Sequence, residues 1–156
     1  MKLDVEHADD AWEVEALFDH CFAPGRTALS SYRLRDGIPP ARDLCLVARA
    51  DGTIGGAVRF WPIRVGDHEA MLLGPIAVHP TRQGEGLGAA LICEGQERAR
   101  AAGVERILLV GDAPYYGRFG FARLNGVEMP PPTNPERVLG CWDWDGVTGP
   151  VRRAAD

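Results

Sequence analysis

No run in this 156-residue chain approaches the roughly 20 apolar residues that a membrane-spanning helix needs, so no membrane partner is expected. Excess positive charge is missing as well. Seventeen Lys and Arg stand against 22 Asp and Glu, a net charge of −5, which argues against a nucleic-acid partner gripped through its phosphates. Cysteines are few and scattered (Cys21, Cys45, Cys93, Cys141), and none belongs to a Cys-x-x-Cys pair. They read as buried free thiols, with neither a metal site nor a disulfide framework expected. Met1 to His7 lacks a basic start followed by an apolar stretch, so no secretory signal is read and a cytoplasmic protein is expected. No internal repeat, low-complexity tract or dividing linker interrupts the chain.

What is present is an ordinary globular composition, 46% apolar and 25% charged. It predicts one domain over 1–147, followed by a tail over 148–156 that is disordered or loosely docked. Lys2 to Val5 reads as an edge strand. A helix is expected from about Ala11 to Phe22, capped by Asp9 or Asp10 and ended by Pro24-Gly25, and a second short one from Thr27 to Arg35. Three strands then follow: Leu44 to Ala48, Thr53 to about Val65 with an irregularity at Pro62, and Glu69 to His79. Their short turns, Asp51-Gly52 and Gly66-Asp67, make them antiparallel neighbours.

A helix from about Glu85 to Ala102 carries Leu87, Leu91, Gly95, Ala99 and Ala102 on one face, and Gly103 closes it. Gly95 is tolerable if that helix lies close against the sheet. The next strand, Glu105 to Val110, completes a strand–helix–strand unit whose strands should be parallel. Tyr115 to Phe119 reads as a short helix. Phe121 to Leu124 and Val138 to Trp144 read as a final hairpin, with Trp142 and Trp144 alternating on a half-buried strand. The fold class is therefore α/β with α+β character: a mostly antiparallel central sheet holding one parallel βαβ unit.

The most informative stretch is Gly74-Pro75-Ile76-Ala77-Val78-His79-Pro80-Thr81-Arg82-Gln83-Gly84-Glu85-Gly86-Leu87-Gly88. It reads as a buried strand, a turn, and a glycine-rich loop that opens a helix. Such a loop presents unpaired N–H groups at the positive end of the helix and suits a pyrophosphate. Alternate glycines let the phosphates reach the backbone.

Gln83-Gly84-Glu85-Gly86-Leu87-Gly88 matches the Gln/Arg-x-x-Gly-x-Gly/Ala signature of the GCN5-related N-acetyltransferases. Tyr115-Tyr116-Gly117-Arg118-Phe119-Gly120-Phe121 resembles the Tyr-x-x-x-Gly-Phe element of the same superfamily, in the right order and spacing. With Gly111-Asp112, the chain resembles the bacterial YhbS-like branch. The resemblance implies splayed central strands and acetyl-CoA as co-substrate, without a metal. It places the pyrophosphate on the amides of Gln83, Gly84, Glu85, Gly86, Leu87 and Gly88, with a charge-assisted contact from Arg82. The pantetheine arm pairs with the strand at Ile76, Ala77 and Val78, and Pro75 favours the bulge that opens the sheet. Asp112 falls at a cofactor-contacting position where many relatives carry an asparagine.

The implied reaction is direct transfer of an acetyl group to a primary amine in a ternary complex. The amine must lose a proton to attack. The carbonyl oxygen needs a donor such as a backbone N–H near Ile76 or Ala77. Tyr116 matches the tyrosine that protonates the leaving thiolate. Glu69, His68, Asp112 or a water chain remain open as the base. Trp12, Trp61, Tyr32, Arg33 and Arg35 are candidates to border the acceptor site, with ordinary packing or solvated charge as the simpler reading of each.

The acceptor stays open among a polyamine, an aminoglycoside, a peptide N-terminus, a lysine and a small amine, and a homodimer is compatible. Two other readings also stay open. The chain could be a catalytically silent acyl-CoA-binding regulatory module. It could also be a dinucleotide-binding oxidoreductase, since Gly84-Glu85-Gly86-Leu87-Gly88-Ala89 also satisfies Gly-x-Gly-x-x-Ala. Against the latter, the loop follows three antiparallel strands, and no room remains for a second mononucleotide half.

Overall fold

The computed structural model describes residues 1–22 and 30–156. Pro24-Gly25, expected to end the first helix, and Thr27 to Leu29, expected in the second, lie outside the described residues; the second helix is seen as α2 (Ser30–Arg33). Seven strands lie side by side in the order β1-β2-β3-β4-β5-β8-β6. They are β1 (Lys2–Val5), β2 (Leu46–Ala50), β3 (Thr53–Val65), β4 (His68–Val78), β5 (Arg106–Val110), β6 (Ala122–Arg123) and β8 (Val138–Trp142). Every pairing along this path is antiparallel except β4 with β5, the expected parallel pair.

Side-chain alternation along the strands divides the core between two faces. Leu46, Ala48, Val58 and Phe60 pack under α3 (Leu87–Ala101), against Leu91, Ile92 and Ala99. Val47 and Ala57 point the other way, to Val14, Leu17 and Phe18 of α1 (Ala11–Cys21). A Cβ on Gly95 would stand 2.8 Å from Cε1 and Cζ of Phe60, so α3 lies as close to the sheet as its sequence anticipates. Ile92 belongs to the buried face, whereas Ala102 is exposed at the end of the helix. There Gly103 (φ +86°) closes a Schellman motif, with Gly103 N–H donating to Arg100 and Val104 N–H to Ala99.

Several expectations are corrected. Pro62 sits in regular register opposite Met71. The irregularity lies instead where Val58 faces Ile76 and Phe60 faces Leu73, leaving Arg59 alone opposite Gly74-Pro75. Asp10 stands at the N-cap of α1 without bonding the helix, because Arg49 (3.0 and 2.8 Å) and the His7 N–H (2.9 Å) take its carboxylate.

The last residues are not loosely docked: β9 (Gly149–Arg153) pairs with β3 at Ile63–Val65 and with the short β7 (Val127–Glu128). Trp144 does not continue β8, which ends at Trp142 (φ +73°). The Trp144 indole folds back to donate to the Cys141 carbonyl at 3.0 Å.

Candidate active site

β4 and β5 pair only at Met71–Ile107 and Leu72–Leu108, then part. The β3–β4 bulge falls immediately beyond, at Gly74-Pro75, and bends β4 away from β5. The edge of β4 after Leu72 therefore faces a gap, and two cavities open there.

The first, about 630 Å³, is formed by Ile76, Ala77 and Val78 of β4, the loop Arg82-Gln83-Gly84, and the start of α3 from Gly86 to Ala89, with Tyr115, Tyr116 and Arg118 opposite. The loop enters through a 3-10 turn at Pro80–Arg82, in which the His79 side chain accepts the Thr81 N–H. Gly84 (φ +90°) and Gly86 (φ +79°) adopt conformations that disfavour any side chain, and Gly86 is the N-cap of α3. The first-turn amides of α3, those of Leu87, Gly88 and Ala89, have no carbonyl within the helix to receive them. These donors, at the positive end of a 15-residue helix, have the polarity that a phosphate cradle needs.

Ten of the residues singled out from the sequence thus meet here: Ile76, Ala77, Val78, Arg82, Gln83, Gly84, Gly86, Leu87, Gly88 and Tyr116. Glu85 belongs to the loop but turns its carboxylate to Arg82 at 3.6 Å. Arg118, whose guanidinium lies 5.2 Å from the centre of the Tyr115 ring, adds a second cation to the wall. It occupies a variable position of the Tyr-x-x-x-Gly-Phe pattern, so the motif carried no signal for it.

The second cavity, about 370 Å³, lies on the other side of Tyr116, between Leu72–Ile76 of β4 and Leu109–Asp112 at the end of β5. Tyr32, Arg35 and Arg137 complete its polar wall. Asp112 lines this cavity rather than the loop cleft; as N-cap of α4 (Ala113–Tyr116), its carboxylate accepts the Tyr115 N–H at 3.2 Å. Ile76 and Tyr116 are common to both cavities. The Tyr116 ring is wedged edge-on against Tyr115 and Phe121. Burial, reinforced by the neighbouring Tyr115 and Asp112, raises its pKa above the usual tyrosine value, so the phenol holds its proton at neutral pH.

Among the residues considered for the acceptor wall, Tyr32 and Arg35 line the second cavity, and Trp61 borders the adjoining groove with them. Trp12 is 84% exposed, and Arg33 reaches out to the Pro131 carbonyl, so neither lines it. Glu69 and His68, at the start of β4, lie outside both cavities. Among the described residues, Asp112 is the one carboxylate lining the second cavity.

Residues 11–121 match the Acetyltransferase (GNAT) family. The chain belongs to this family. It is 36% identical over 112 residues to the uncharacterized N-acetyltransferase YjhQ of Escherichia coli K12, covering 67% of this chain and 61% of YjhQ, so the match spans less than two thirds of that relative. It is 34% identical over 125 residues to the uncharacterized N-acetyltransferase YhbS of the same strain, covering 78% and 73%. The crystal structure of Escherichia coli YhbS in complex with CoA superposes with a TM-score of 0.83 at 29% identity, over 97% of this chain and 88% of that one. A Brucella melitensis GNAT acetyltransferase solved with acetyl-CoA gives a TM-score of 0.67 at 34% identity, over 85% and 92%.

Proposed function

We propose that the protein transfers an acetyl group from acetyl-CoA to a primary amine, with both substrates bound at once and Tyr116 at the point where they meet. The observation that carries this reading is the position of Tyr116 and Ile76, shared between the phosphate cradle's cleft and the second cavity. The GNAT relatives solved with CoA and acetyl-CoA support the same co-substrate here.

In this reading the amides of Gln83 to Gly88 hold the pyrophosphate, and Arg82 and Arg118 add charge. The pantetheine arm runs along the open edge of β4 at Ile76 to Val78, as an added strand would. The thioester carbonyl then lies in the gap between β4 and β5. A neutral amine from the second cavity attacks it while a backbone N–H of Ile76 or Ala77 donates to the oxygen. When the C–S bond breaks, the Tyr116 phenol gives its proton to the sulfur and regains one from the nitrogen as the amide forms, a role that suits a group kept neutral by burial. Asp112 is placed to take a proton from the incoming ammonium, directly or through water.

Calorimetric titration with acetyl-CoA, with NADH as control, followed by thiol release on adding amines, tests this. Micromolar binding of acetyl-CoA alone and amine-dependent release of CoA are expected. Binding without release for any amine would favour a silent acyl-CoA-binding module. Failure of a folded protein to bind would overturn the reading.

A further inference from the structure

The second cavity has a charge character opposite to that of the chain. The protein carries a net charge of −5, yet the charged side chains lining this cavity among the described residues are Arg35, Arg137 and Asp112. Asp112 already serves as a helix cap. Arg35 is only 8% exposed, a depth at which arginines are seldom found. Its guanidinium lies 3.8 Å from the centre of the Tyr32 ring and 5.5 Å from that of Trp61. This aromatic wall holds the planar fork in place and removes it from bulk water.

Across the gap stands Gly74 (φ +146°), where a Cβ would come within 3.5 Å of Arg35 Nη2. That is ordinary van der Waals distance, so the guanidinium lies beside β4 at the point where β4 parts from β5. Arg137 borders the same cavity from the loop before β8 and lies near enough to Tyr116 to favour its ionisation. One cation at the back and one at the rim, on the acceptor side of the tyrosine, form a receptor for an anion.

Resting on the acetyltransferase reading, we propose that the acceptor is a small amine that carries a carboxylate, with Arg35 gripping that carboxylate. A planar carboxylate matches the guanidinium fork, and desolvation strengthens the pair. Once the carboxylate is held, the amino group is directed toward Tyr116 and Asp112. Polyamines and aminoglycosides, which bring only positive charge, meet two arginines in this cavity.

Thiol release with acetyl-CoA is measured for amines that carry a carboxylate and for counterparts without one: lysine against cadaverine, phenylalanine against phenethylamine, 4-aminobutyrate against its amide. Spermidine serves as the polycation. Each carboxylate-bearing acceptor is expected to exceed its partner at least tenfold in kcat/KM, an order-of-magnitude expectation for one charge-assisted pair. Arg35→Gln should abolish that preference by raising KM for the carboxylate-bearing acceptors alone, and Arg35→Lys should restore part of it. The exposed Arg137→Ala, which carries no folding risk of this kind, should reduce it in the same direction. Thermal melting and acetyl-CoA affinity of each variant report whether fold and cofactor site are intact.

Equal or better turnover of spermidine or the decarboxylated amines by the unaltered enzyme would overturn the proposal. So would a uniform loss for all acceptors in folded Arg35 variants, or binding of acetyl-CoA with no acetylation of any carboxylate-bearing amine. Failure to bind acetyl-CoA would instead overturn the acetyltransferase reading on which it rests.

Discussion

A Cβ on Gly111 would stand 2.5 Å from Cε2 and 2.9 Å from Cδ2 of Tyr116, so one edge of the phenol lies against the chain just past β5 at a point that admits only hydrogen. Gly111→Ala should push the ring aside without reaching the phosphate cradle. A displacement on the order of 1 Å at a reacting group costs up to about 10²-fold in turnover. Steady-state kinetics beside acetyl-CoA calorimetry should show kcat falling and the dissociation constant almost unmoved.

Tyr116→Phe keeps the ring and deletes the proton donor. Turnover should fall by about 10²-fold, a typical share for one general acid, with binding of acetyl-CoA retained. Because burial holds the phenol protonated beyond the usual range near 10, turnover by the unaltered enzyme should not decline through phenol ionisation below about pH 10. A rate–pH profile of both proteins checks this.

Gly86→Val tests the cradle separately. Nothing lies within 4 Å of a Cβ at Gly86, so the penalty arises from φ +79°, which a β-branched residue adopts poorly, and from intrusion on the phosphates. Acetyl-CoA should bind at least about tenfold more weakly, equivalent to about 1.4 kcal/mol. Calorimetry with CoA and acetyl-CoA should show the same loss for both.

Gly95→Ala places a methyl against Phe60, 2.8 Å from two ring atoms. Overpacking of this kind costs about 1–3 kcal/mol. For a chain of this size each kilocalorie lowers the melting temperature by about 2–4 °C. Calorimetric melting should show that drop, with acetyl-CoA affinity little altered.

The Asp10–Arg49 pair should appear in the acid limb of stability. Arg49 holds the Asp10 carboxyl below its usual range, so the folded state binds its proton less readily than the unfolded state. The stabilisation is complete above the ordinary aspartate pKa, about 3.9, and is lost as pH falls through the lowered folded value. Asp10→Asn should cost on the order of 1 kcal/mol at pH 7 and progressively less below pH 4, as measured by denaturant unfolding across pH.

The parts of the fold legible in the sequence were those with local causes. Asp51-Gly52 specified its hairpin, and Gly103 the end of α3. Gly84 and Gly86 marked the turn into α3, because an unusual backbone leaves a glycine behind. Pro75 announced the bulge, whereas Pro62 announced one that does not exist, since its place opposite Met71 accommodates the ring.

Tertiary causes were less visible. β9 read as a tail because its partners, β3 and β7, lie far away in sequence. Trp144 imitated strand alternation until its indole found the Cys141 carbonyl. Arg35 sat among helix-surface residues, and only the packing of Tyr32 and Trp61 around it reveals a buried cation. Asp112 was given a cofactor contact only by the family resemblance, whereas the structure puts it in the cavity on the other side of Tyr116.

The central claim, that Tyr116 stands where the acetyl donor meets the amine, is tested most directly by a crystal structure of the acetyl-CoA complex. The account predicts phosphate oxygens on the amides of Gln83 to Gly88 and the thioester in the gap beside Ile76, its sulfur within hydrogen-bond reach of the Tyr116 hydroxyl. Phosphates bound elsewhere, or a thioester on the far side of the molecule from Tyr116, would contradict it.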